Sequence, residues 1–174
     1  MKDSYIEVFA EDEVHFQRAS SLIRTWAPKG EQPQVLSAAT REKIGFFGAV
    51  GLKTGQLLTQ EASVFNTETF HNFLSYLINF TDRPVLLILD RASYHRSKGL
   101  KPFLQEHRAH LTLAFLPSYS PELNPIERVW RITRRKVTHN RYFPKIEDLR
   151  ESLINQFVQW SYPNETLKVL CANI

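Results

Sequence analysis

LPSYSPELNPIERVW, Leu116 to Trp130, decides how the rest of the chain is arranged. Asn124 is a good N-cap and Pro125 a natural first helical residue, so a helix is expected to begin here with Glu127 in its opening turn. Upstream, VLLILD carries five consecutive apolar residues after Pro84 and ends at Asp90. Such a run reads as a strand buried on both faces that stops at an acid. Two carboxylates therefore stand at two element ends, and a divalent cation would hold them together, because paired anions otherwise repel. Each acid alone also has an ordinary explanation: a first-turn carboxylate complements the helix dipole, and Asp after a strand is common turn chemistry.

On the helix that starts at Pro125, Ile126, Val129, Trp130, Thr133 and Val137 share one apolar stripe at about 100° per residue. Glu127 lies at its edge, with Arg131 and Arg134 close in angle and Arg128 and Arg135 further round. A solvated Arg face is one reading of this rim. Contact with phosphate oxygens, which guanidinium groups bind bidentately, is the other.

At the start of the chain, YIEVFA alternates as a strand and places Ile6, Val8 and Ala10 on the same parity as Asp12. Glu11 and Glu13 compete with Asp12 for any role, since three acids in a row also suit a solvated strand end. KIGFFGAVGLKTGQLLTQEA reads as a hairpin, with strands Ile44 to Val50 and Gln56 to Ala62 around Lys53, Thr54 and Gly55. A helix follows from Asn66 or Thr67, burying Phe70, Phe73, Leu74, Leu77 and Ile78. It returns the chain to Val85 to Leu89, which is expected to be parallel to the first strand. A short helix interrupted near Pro102, a strand at Leu111 to Leu116, the Pro125 helix and an amphipathic helix at Ile146 to Trp160 complete the order. The last helix is expected to bury Leu149, Leu153, Ile154 and Phe157, and Tyr162 to Ile174 reads as a tail. The pattern is a mixed α/β domain.

The wording around the acids carries a family resemblance. DRASYHRS from Asp90, followed by LPSYSPELNPIERVW, resembles the DDE transposases of bacterial insertion sequences in the mariner superfamily, whose usual wording is close to D-N-A-x-x-H and L-P-x-Y-S-P-x-L-N-P-I-E. Asp12, Glu13 and Phe16 match that family's D-E-x-x-F, and Trp26 with Gly30 its W-x-x-x-G, although a Trp beside Pro and Gly is commonly a loop anchored to the core. The resemblance implies an RNase H-like fold: a three-stranded antiparallel meander plus parallel strands, flanked by helices. It also implies Asp12, Asp90 and Glu127 as catalytic metal ligands, with 36 residues between the last two. Mg2+ or Mn2+ would be the cofactor, two ions about 4 Å apart when DNA is bound, in phosphodiester cleavage and strand transfer. His95 matches the family's His, where it would touch a phosphate or orient Asp90. With Lys29, Arg128, Arg131, Arg134 and Arg135 it makes up the candidate DNA-binding set. Arg91 departs from the usual Asn and, as a cation beside a ligand Asp, must point away or serve the DNA backbone.

The expected partners are transposon ends and target DNA, with a homodimer left open. A helix-turn-helix domain, usual before this region in the family, is absent from residues 1–174, which read as one catalytic domain. A non-enzymatic remnant that holds DNA weakly is the contrasting reading. Net charge +4 and pI about 9.3 suit a polyanionic partner without requiring one. The single cysteine, Cys171, excludes an internal disulfide and a thiolate metal cluster. There is no run of 18 apolar residues, and MKDSYIEVF is too polar for a signal peptide, so the expectation is a cytoplasmic, nucleoid-associated protein without a membrane partner.

Overall fold

The computed structural model describes residues 5–118 and 120–172; Tyr119, within the LPSYSP stretch, lies outside them. Five strands form one mixed sheet in the order β3-β2-β1-β4-β5. β1 (Glu7–Gln17), β2 (Lys43–Gly51) and β3 (Leu57–Glu61) make the antiparallel meander, and β4 (Val85–Leu89) and β5 (Leu111–Phe115) run parallel to β1. This is the expected RNase H-like arrangement. β1 runs further than the three acids suggested, because Val14 and Phe16 continue its buried face beyond them. The acids therefore sit in mid-strand, where their backbone is paired with β2.

α1 (Thr67–Phe80) is closed by a capping box in which Asn66 accepts from the Thr69 N–H and the Thr69 hydroxyl accepts from the Asn66 N–H. It lays Phe70, Phe73, Leu74 and Leu77 on one sheet face, against Phe9, Phe47 and Leu58. The other face carries Ala10, Val14, Phe16 and Phe46. Three helices cover it: α3 (Ile126–Thr133), α4 (Ile146–Trp160) and α5 (Glu165–Ala172). The interrupted helix near Pro102 is a 3-10 turn at Lys98–Leu100 leading into α2 (Lys101–Glu106). Among the described residues, no helix is long and apolar enough to cross a membrane.

Four expectations are corrected. The tail contains α5, whose Leu167 and Cys171 are buried in the α3/α4 core. On α4 the buried fourth residue is Trp160, and Ile154 is exposed, because the stripe that faces the sheet runs Leu149, Leu153, Phe157, Trp160. The Pro125 helix is α-helical only to Thr133 and then widens into a π-type turn, Arg134–Thr138. Trp26 is fully exposed instead of anchored to the core. It lies on an exposed arm between β1 and β2 that is tied down at its base, where Asn140 bonds both the N–H and the C=O of Ile23 and Ser20 donates to Arg141 O.

Candidate active site

β1 and β4 are neighbours in the middle of the sheet, in register from Glu7 with Val85 to Ala10 with Ile88. Continuing that register brings Asp12 alongside Asp90. The strand's two-residue period then separates the three adjacent acids: Asp12 faces the α3 side, and Glu11 and Glu13 face the α1 side. Of the three, Asp12 alone lines the cleft between β1, β4 and α3.

That cleft has a volume of about 650 Å3, and Asp12, Asp90, Glu127, Asn124, Arg91 and Arg96 are on its walls. Each acid is delivered by a different element. Asp12 comes from β1, Asp90 from the end of β4, and Glu127 from the first turn of α3. The N-terminus of α3 is fixed by Asn124, though not as a cap. Its Nδ2 donates to the Glu11 carbonyl at 2.8 Å, pinning the start of α3 to β1 one residue before Asp12, while Pro125 occupies the N-cap position. Asn124 Oδ1 is buried and has no hydrogen-bond partner.

Asp12 is largely buried and accepts a hydrogen bond from Trp130 Nε1 at 3.2 Å. Gly48 lies directly across the β1–β2 ladder from it. A Cβ at Gly48 would stand 2.3 Å from Trp130 Cη2, so only glycine lets the indole lie over the sheet here. Burial, then the negative charges of Glu13, Glu127 and Asp90, push the Asp12 carboxyl up to about 8. Asp90 is exposed; its Oδ1 accepts the Ala92 N–H at 2.8 Å and faces His95 Nδ1 at 3.0 Å.

The candidate cations divide. His95 is 1% exposed and wedged between Asp90 and Glu13, with Nε2 2.9 Å from Glu13 Oε1. It is therefore closed to a phosphate, which corrects that part of the expectation and leaves the orienting alternative. Arg128 is also turned away, donating to the Leu170 carbonyl on α5 at 3.1 Å. Arg134 is half-buried, its guanidinium 5.7 Å from the Phe16 ring. Arg131, Arg135 and Lys29 are exposed, but none of them lines the cleft. The cations that do are Arg91 and Arg96, both exposed, from the turn after β4.

Sequence reasoning missed the Asn124 clamp, the Trp130 bond and the acids on the far face. Parity on β1 was the available signal for the last of these. Both Glu11 oxygens are fully buried without a partner, and burial followed by repulsion from Glu13 raises its carboxyl well above the usual range.

A family model described as DDE superfamily endonuclease matches residues 7–150. The chain belongs to that family. The chain is 27% identical over 135 residues to an insertion element IS630 protein of Shigella sonnei, covering 76% of this chain and 39% of the relative. It is 26% identical over 156 residues to the Tc3 transposase of Caenorhabditis elegans, covering 83% and 45% respectively. The Mos1 mariner paired end complex with Mn superposes with a TM-score of 0.70 at 14% identity, over 94% of this chain and 51% of that one. The catalytic domain of Mos1 mariner transposase gives 0.60 at 13% identity, over 97% and 76%. The transposase resemblance and the RNase H-like fold are thus borne out. The chain spans less than half the length of these two curated relatives.

Proposed function

We propose that this DDE endonuclease is the catalytic part of a transposase that cuts and joins DNA strands in the cleft between β1, β4 and α3. The carrying observation is that Asp12, Asp90 and Glu127, from three separate elements, line one open cleft edged by Arg91 and Arg96. The donor set fits hard divalent cations: three carboxylates, an unpartnered Asn124 Oδ1, and an Asp12 whose charge is disfavoured by burial and by its acidic neighbours until a cation offsets them.

Asp12, Asp90 and Glu127 would hold Mg2+ or Mn2+, two ions when DNA is bound. When bound, such ions supply activation of an attacking water or 3′-hydroxyl and stabilisation of the leaving oxygen. Arg91 and Arg96 would grip phosphate oxygens of the strand, with the exposed Arg131, Arg135 and Lys29 adding weaker, long-range attraction. Transposon ends and target DNA are the substrates on this reading. A helix-turn-helix domain and a second copy of the chain are the partners that would bring ends together.

Nicking of supercoiled plasmid tests it. Mg2+ or Mn2+ should support conversion to open circles, and Ca2+ should support DNA binding with little turnover, since its larger, looser shell suits in-line displacement poorly. Equal nicking in chelator would overturn the reading.

A further inference from the structure

On the face of β1 opposite the cleft, Glu11, Glu13 and His95 each offer a ligand atom, and these atoms lie within 4.8 Å of one another. Among the described residues no other group of three His, Cys, Asp or Glu side chains does so. His95 Nε2 is 2.9 Å from Glu13 Oε1 and 3.7 Å from Glu11 Oε2. Donors about 2.0–2.1 Å from a tetrahedral ion stand about 3.3 Å from each other, a value these two distances straddle.

Three further observations point to a ligand. The Glu11 side chain is 0% exposed and neither of its oxygens has a hydrogen-bond partner, so a buried carboxyl group faces this spot unsatisfied. His95 Nδ1 faces Asp90 Oδ1 at 3.0 Å, the carboxylate–imidazole arrangement that fixes the tautomer of a metal-binding histidine and turns Nε2 toward the ion. The Tyr94 hydroxyl donates to Glu13 Oε1, and the Phe70 ring, 4.3 Å from His95 between centroids, walls the spot with apolar surface.

We infer that Glu11, Glu13 and His95 form an internal metal site that takes Zn2+ in preference to Mg2+. One imidazole and two carboxylates, with a single water as fourth ligand, suit a four-coordinate ion of the zinc type. Mg2+ requires six oxygens and keeps several waters, which the fully buried Glu11 and His95 side chains disfavour, whereas the open cleft on the other face admits them. The ion neutralises Glu11 and ties β1 to the turn after β4, directly behind Asp12 and Asp90. The site lies on the opposite face of β1 from the cleft and meets it through the contact of His95 with Asp90, and its test does not depend on DNA cleavage.

Chelator-treated protein is titrated with Zn2+ by calorimetry in excess Mg2+, added to compete for the cleft. One Zn2+ per chain is expected, with a rise in melting temperature. Affinity should fall tenfold or more in Glu11→Gln and in His95→Gln, and stay within about twofold in Glu127→Gln. Absence of Zn2+ binding, or loss in Glu127→Gln with retention in Glu11→Gln, would overturn the inference. It would leave His95 simply hydrogen-bonded between Glu13 and Asp90. Should the Glu11 and His95 variants fail to fold, Co2+ on the parent protein in excess Mg2+ decides. The intense visible absorption of a four-coordinate ion supports the site; a weak six-coordinate spectrum, or none, refutes it.

Discussion

The indole N–H of Trp130 donates to Asp12 Oδ2 at 3.2 Å, and the space in which the indole lies exists because the residue opposite Asp12 on β2 is Gly48. One cross-strand pair thus sets both the packing of α3 on the sheet and the orientation of a carboxylate in the cleft.

Gly48→Ala should therefore act on the fold and the site together. The added methyl must displace the Trp130 ring, and overpacking of this kind costs about 1–3 kcal/mol. Trp130→Phe keeps most of the packing and removes the donor to a carboxylate, again about 1–3 kcal/mol. Urea denaturation measures both. Weakened Mn2+ binding in the Gly48 and Trp130 variants is expected as well, because Asp12 loses its anchor.

The pH dependence of metal-free stability has a defined sign. The Asp12 carboxyl rises from its ordinary value of 3.8 to about 8 in the fold, so the folded protein binds the extra proton. Its contribution is complete below about pH 4 and is lost as pH rises toward and through 8. Asp12→Asn should consequently gain stability over the parent between pH 5 and 8.5, by about 1–3 kcal/mol at the upper end. Melting curves in chelator across that range check it. Added Mg2+ should shrink the difference.

How much of the site is legible in the sequence depends on the residue. Asp90 and Glu127 can be placed because each sits at an element end marked locally, by an apolar run and by Asn124-Pro125. Asp12 needs parity, and the same parity sends Glu11 and Glu13 to the opposite face. Burial is beyond reach: nothing in DRASYHRS says that His95 is enclosed between two acids while Arg91 and Arg96 line the cleft. α5 escapes notice because its eight residues carry only Leu167 and Cys171 as buried anchors. The Asn124 side chain misleads because the choice between capping a helix and clamping a strand is made by tertiary contact, here the Glu11 carbonyl.

DNA affinity should follow the cleft and not the Arg rim of α3. Arg91→Glu and Arg96→Glu should each weaken binding to any duplex alike and flatten the slope of log affinity against log salt by about 1. Arg128→Ala should leave DNA binding unchanged and lower stability by about 1 kcal/mol, because its guanidinium serves the Leu170 carbonyl. Fluorescence anisotropy at several salt concentrations separates the two outcomes.

The central claim is that Asp12, Asp90 and Glu127 act as one metal-dependent site on DNA. Joining of a supplied, preprocessed 3′-hydroxyl DNA end to plasmid, with Mn2+ and high protein concentration, compares the parent with Glu127→Gln most directly. The substitution removes one charge from the site and leaves Asn124, Pro125 and the start of α3 intact. The account predicts joining by the parent and none by Glu127→Gln, with both proteins melting alike in chelator. Joining by Glu127→Gln at the parent's rate would contradict it.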